Sequence, residues 1–146
     1  MNIESSAFTS GGIIPKQYTC EGDDINPPLA ISDPPAGTAS FALIMHDHDA
    51  PGGDFAHWLM WNIDASVREI LEGTTPAGAL EGMSDFGNPG WGGPCPPAGT
   101  HSDEFHIYAL DRMLDLPAGG TKDELRDAIR DCTLEEASVT GLYTKG

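Results

Sequence analysis

The stretch Ala39–Ile63 reads ASFALIMHDHDAPGGDFAHWLMWNI, and its reading decides the fold. Two runs within it, Ala39–His46 and His57–Ile63, have the length of strands, are rich in aromatic and branched side chains, and are bounded by turn formers; they predict buried central strands. Pro51 followed by Gly52 and Gly53 suits a tight turn between them. A trans peptide at Ala50–Pro51 is the default, whereas a cis one would aim the preceding carboxylates inward.

Outward from this segment, Phe105–Leu110 (FHIYAL) is a third buried-strand candidate. Pro28–Ile31 and Ala137–Tyr143 are weaker ones, expected at sheet edges. One helix is well marked. Thr121 caps it, Glu124 completes a capping box, and Leu125, Ala128, Ile129 and Cys132 form its apolar face. Ser66–Leu71 predicts a short connecting helix. Asp85–Thr100 (DFGNPGWGGPCPPAGT) follows neither structural period and reads as a structured loop, a place where function concentrates. With no repeat, linker or charge run, the 146 residues form a single domain built mainly of β-sheet.

Only 7 basic residues stand against 23 acidic ones, a net charge of -16. No basic stripe exists to neutralise nucleic acid or to hold the chain at an anionic bilayer, so neither is expected as a partner. Self-repulsion of this size fades when salt shortens the Debye length. The charge therefore reads as adaptation to high salt, with an acidic protein of ordinary cytoplasm as the alternative. No apolar run reaches the length of a signal or a membrane span, which predicts a cytoplasmic protein. Cys20, Cys95 and Cys132 are expected as free thiols, with a Cys20–Cys95 bridge left open.

The candidate chemistry lies in His46, Asp47, His48, Asp49 and His57, followed by His101 and His106. Strand alternation places Asp47 and Asp49 on one face and His46 and His48 on the other. An imidazole beside a carboxylate favours its charged form. In so acidic a chain, such imidazoles together with N–H groups of Gly90–Gly93 are the available means of holding an anion. The alternative is five unrelated histidines, some solvated and some satisfied in the core. A metal site would use the same Asp and His types, but no spacing here is diagnostic of one. G-x-S-x-G is absent, Ser40, Ser66, Ser84 and Ser102 lack a nucleophile-elbow context, and a Cys95–His101 dyad is disfavoured by the flanking Pro94 and Pro96. Trp58 and Trp61 belong to the core or an interface, whereas Trp91, among glycines, could wall a pocket.

Taken together, Ile14–Leu29 (IPKQYTCEGDDINPPL), Phe41–Ile63, Gly87–His101 (GNPGWGGPCPPAGTH), Tyr108–Asp111 (YALD) and the terminal GLYTKG resemble the phosphatidylethanolamine-binding protein family, in its prokaryotic Raf-kinase-inhibitor-like branch. The D-x-D-A-P and G-P-x-P-P-x-G-x-H elements are jointly specific. The resemblance implies an antiparallel β-sandwich with one or two short peripheral helices and a small anion pocket at one end. It places Asp47, Asp49, Pro51, His57, Gly93 and His101 in that pocket, with Trp91 as an aromatic wall, and implies a cis Ala50–Pro51 peptide. Three departures stand out. His48 replaces the usual proline of D-P-D-A-P, Ser102-Asp103 replaces the usual arginine-tyrosine after His101, and Trp91 replaces a tyrosine.

The expected function is regulatory or sensing binding of a small phosphate- or phosphorylethanolamine-like anion, without catalysis, cofactor or metal. His57 and His101 would donate to the anion, Gly93 N–H would add a donor, Asp47 would orient an imidazole and Asp49 would shape the rim. The alternatives are a phosphoester hydrolase using the same residues and a protease- or kinase-inhibitor-like interaction module. A homodimer is suggested by the branch and by Trp58 and Trp61.

Overall fold

The computed structural model describes residues 1–145, so the last glycine of GLYTKG lies outside the described residues. Among the described residues, nine strands, β1 (Asn2–Glu4), β2 (Gly12–Ile13), β3 (Leu29–Ser32), β4 (Ser40–Ala50), β5 (Gly53–Asp64), β6 (Glu69–Ile70), β7 (Leu80–Glu81), β8 (Thr100–Leu110) and β9 (Thr133–Thr144), accompany one α-helix, α1 (Lys122–Ile129), and a 3-10 turn at Lys16–Tyr18. They form two open sheets, one ordered β1-β3-β6 and the other β2-β9-β8-β4-β5-β7. Every pairing is antiparallel except the two-residue β2–β9 contact.

The three apolar runs form the middle of the large sheet because both its faces are covered. Phe41, Leu43 and Met45 of β4, Trp58 and Met60 of β5, and Phe105 and Ile107 of β8 pack against Ile3, Leu29, Ile31 and Ile70 of the small sheet. On the opposite face Ala42, Ile44, Leu59 and Trp61 pack under Leu125 and Ile129 of α1. Sheets buried on both faces read as continuous apolar runs, not as alternation. The predicted capping box is present: Thr121 accepts from the Glu124 backbone N–H, and the Glu124 side chain bonds back to Thr121.

Several expectations are corrected. β4 does not end at His46 but carries the Asp/His motif through Ala50. The Ala50–Pro51 peptide is trans, no cis bond occurring among the described residues. Ala50 pairs with Gly53, so Pro51 and Gly52 form a hairpin loop closed by Gly53 at φ 93°, a reversal that needs no cis bond. The Ser66–Leu71 helix is instead a turn leading into β6, whose Ile70 is claimed by the core between the sheets. β3 lies at the centre of its sheet, and β9 is flanked by β8 along its length and by β2 at Gly141 and Leu142, so neither is simply an edge. Trp58 and Trp61 are fully buried and donate to Glu81 and the Leu116 carbonyl. They offer no surface to a second copy.

Gly82 marks a tight seam beneath β5. A Cβ there would lie 2.6 Å from the Gly120 carbonyl oxygen and 2.8 Å from the Trp61 ring. Gly82→Ala is therefore expected to destabilise the fold by about 1–3 kcal/mol, as overpacking does. An unchanged urea midpoint would show that the seam yields freely.

Candidate functional site

β4, β5 and β8 reach beyond the core at one end of the sandwich, and their inward faces change there from apolar to polar. Asp47 continues the Leu43–Met45 face, and Asp103 and His101 continue the Phe105–Ile107 face, each two residues further along its strand. His57 arrives differently. Strict alternation would group it with Leu59 and Trp61 on the α1 face. However, Met45 pairs with Trp58 while His46 pairs with Ala56, which leaves His57 as the extra residue of a β-bulge. The bulge turns Ala56 into the α1-side core and brings His57 into the cleft.

The cleft has a volume of about 130 Å³. Asp47, His57 and His101 form its polar part, and the rings of Pro51, Phe55, Phe86 and Pro96 form its walls. A larger groove of about 420 Å³ runs along β1, β3 and β6. Its charged lining, Glu4 and Glu69, is wholly acidic.

Within the cleft, His101 Nδ1 lies 2.6 Å from Asp47 Oδ2, and the other Asp47 oxygen accepts from the Asp49 backbone N–H at 2.7 Å. The Asp47 carboxylate thus fixes His101 with Nδ1–H donating and leaves Nε2 for a further partner. His57 Nδ1–H donates to the Gly92 carbonyl at 2.7 Å. Burial lowers the His57 pKa, only partly offset by that bond, so the ring is neutral at pH 7 with a lone pair on Nε2. Asp103 Oδ1 lies 3.4 Å from that nitrogen. Asp103 is 1% exposed, and neither of its oxygens has a hydrogen-bond partner. Burial, reinforced by the charges of Asp47 and Asp49, pushes its pKa up to about 8. It is buried beside His57 as an uncharged acid at neutral pH. Ligand atoms of Asp47, His57 and Asp103 lie within 4.8 Å of one another.

The expected site residues are only partly brought together. Asp47, Pro51, His57 and His101 line one cleft, whereas Asp49 is exposed at its rim and accepts from the Ser102 backbone N–H at 2.9 Å. Gly93 does not offer its N–H to the cleft but donates to Asp24 Oδ1 at 2.9 Å. Its neighbours are similarly occupied, Gly90 N–H by the Gly82 carbonyl and Gly92 N–H by that of His57. Trp91 is no wall of this cleft: half-buried, it stacks on Phe105, meets Trp58 edge-on and lines a neighbouring cavity with Phe86 and Cys95. Cys95 lines the cleft but is bridged to Cys20, overturning the expectation of free thiols at those two positions and removing the Cys95–His101 dyad. Cys132 is free and buried. Phe55 and Phe86, 4.8 Å apart in an edge-on pair, carry no signal in the sequence because nothing local ties the Gly/Pro loop to β5.

The sequence profile of the phosphatidylethanolamine-binding proteins matches residues 4–144. The chain belongs to that family. A UPF0098 protein of Methanothermobacter thermautotrophicus is 40% identical over the full length of both chains, and one of Aquifex aeolicus is 41% identical over 99% of this chain and 89% of its own. Among solved structures, a phosphatidylethanolamine-binding protein homologue from Chlamydia trachomatis superposes with a TM-score of 0.95 at 36% identity, covering 99% of this chain and 97% of that one. YbcL of E. coli, described as a member of the mammalian PEBP family, gives 0.92 at 30% identity, covering 99% and 98%. Of this family member's three departures, Asp103 is buried beside His57 behind the cleft, Trp91 is half-buried against the core, and His48 lies on the opposite face of β4. No helix among the described residues is long and apolar enough to cross a membrane.

Proposed function

We propose that this member of the phosphatidylethanolamine-binding protein family binds a small phosphate-bearing anion in the His57/His101 cleft and serves in sensing or regulation, not catalysis. The observation that carries the reading is the 2.6 Å His101–Asp47 pair in the cleft. It orients an imidazole whose remaining nitrogen, when protonated, donates a charge-assisted bond to a phosphate oxygen. The volume suits a headgroup-sized molecule. The aromatic and proline rings exclude water from the bond and strengthen it. No thiol is free in the cleft, since Cys95 is bridged, which weighs against a cysteine-based hydrolase. With a net charge of -16, the natural source of the ligand is a free molecule in solution and not a headgroup in an anionic bilayer.

The test is a titration with inorganic phosphate and with phosphorylethanolamine, observed through the histidine ring resonances. The signals of His57 and His101 are expected to move, and His101→Ala to weaken binding roughly 10- to 100-fold, the worth of a hydrogen bond to a charged group. Ring signals that stay still at saturating phosphate, or an affinity untouched by His101→Ala, would defeat the reading. Release of phosphate from phosphorylethanolamine in the same samples would replace it with the hydrolase.

A further inference from the structure

The face of β4 turned away from the cleft carries a second constellation. His46 and His48 lie on that face, and Glu104 stands directly across from His46 on β8. His106 follows Glu104 by two residues. The ring centroids of His46 and His48 are 4.1 Å apart, and those of His46 and His106 are 4.8 Å apart. His48 Nε2 lies 3.1 Å from Glu104 Oε2, and His106 Nε2 lies 3.5 Å from Glu104 Oε1. Three imidazoles thus surround one carboxylate.

We propose that His46, His48 and Glu104, with His106 as a fourth donor, bind a divalent transition metal of the zinc type. One ligand atom from each of His46, His48 and Glu104 lies within 4.8 Å of the others. A tetrahedral zinc site with bonds near 2.0 Å holds its donors about 3.3 Å apart, and the exposed His48 is free to make up the difference. Two further observations point to a ligand. His46 Nε2 and His106 Nε2 are both buried with no hydrogen-bond partner, although the His46 side chain is only 8% exposed. In addition, His46 Nδ1 is 2.7 Å from Asp54 Oδ1, and the other Asp54 oxygen accepts from Arg126 of α1 at 2.7 Å. This carboxylate–imidazole support, which occupies Nδ1 and leaves Nε2 as the nitrogen open to a metal, is how metal-bound histidines are usually oriented. A donor set of imidazole nitrogens and one carboxylate selects zinc, copper, nickel or cobalt over magnesium or calcium, which demand oxygen. His48, 57% exposed in its side chain, is the entry point. The site thus gives a role to the imidazole that stands where the family usually has proline.

The experiment uses protein stripped with chelator, then loaded with Zn²⁺ and passed through gel filtration before metal analysis, with calorimetry for affinity and Co²⁺ as a spectroscopic reporter. One equivalent of Zn²⁺ is expected to be retained, and Co²⁺ to give the intense visible band of a tetrahedral site. His48→Ala, at an exposed position where folding is not at stake, should weaken binding at least 10-fold. Asp54→Asn, which takes the carboxylate charge from His46 and also from Arg126 and the nearby His48, should weaken it by about 10- to 100-fold. Failure of the wild-type protein to retain metal overturns the proposal. So does full affinity in His48→Ala, and so does a loss of binding seen only in His57→Ala, which would move the metal to the cleft. None of these readouts depends on phosphate binding.

Discussion

Replacing Cys20 and Cys95 together with serine is expected to lower the stability of the fold by about 4 kcal/mol. The two residues are 75 apart in sequence, and closing a loop of that length removes roughly 4 kcal/mol of chain entropy from the unfolded state, on the loop-closure account. For a domain of this size the change corresponds to a fall of roughly 10 °C in Tm. The expected loss falls mainly on the unfolded side of the balance because the joined segments are also held by ordinary bonds. Cys20 N–H donates to the Pro94 carbonyl at 3.2 Å, Gly93 N–H donates to Asp24, and Tyr143 Oη lies 2.6 Å from Glu21 Oε1. The native cleft should therefore persist in the double variant while its unfolding midpoint drops. Urea unfolding of the two proteins under oxidising conditions measures this directly. Equal midpoints would mean that the unfolded chain is already compact in this region.

The second large effect concerns Asp103. In an unfolded chain an aspartate titrates near 3.9, whereas in the fold burial and the neighbouring Asp47 and Asp49 push Asp103 up to about 8. Between those values the native state holds a proton that the unfolded state has released. Its contribution to stability is thus fully present below about pH 4, declines as pH rises, and levels off above about pH 8. Each unit of that window is worth about 1.4 kcal/mol, so the decline amounts to several kcal/mol. Asp103→Asn keeps the shape and removes the titration. The variant should match the wild type near pH 4 and exceed it by several kcal/mol at pH 8. Taking the difference between the two proteins cancels the other titrations, such as Asp54, whose bonds from Arg126 and His46 outweigh the opposing effect of burial and lower its pKa. Parallel pH profiles would show that Asp103 is solvated or paired in the native protein.

How far each feature was legible depended on the range of the interaction that creates it. The central strands were legible because an apolar run of strand length has few other ways to hide from water, and α1 because its capping box is completed within four residues. The short strands β1, β2, β6 and β7 were not, since two or three residues carry no measurable period and are extended only through their partners. The Ser66–Leu71 segment failed as a helix for the same reason. Its local pattern was outweighed by one buried contact, that of Ile70.

The motifs around Asp47 and His101, read together with the apolar runs, were enough by themselves to determine the family, the sandwich and the end of it at which to look. Alternation alone also determined that His46 and His48 turn away from Asp47. Tertiary structure decided the rest. The bulge at His57 reverses the face its position in the strand would dictate, and the pairing of β4 with β8 sets Glu104 opposite His46. The fold of the Gly/Pro loop uses up the Gly93 N–H, packs Trp91 against the core and joins Cys95 to Cys20. Depth of burial makes Asp103 an acid of pKa about 8 where the residue type alone gives an anion. Periodicity is a property of the chain, and it specifies faces. Proximity across strands and the loss of water are properties of register and packing, and they fix what the charged groups on those faces become.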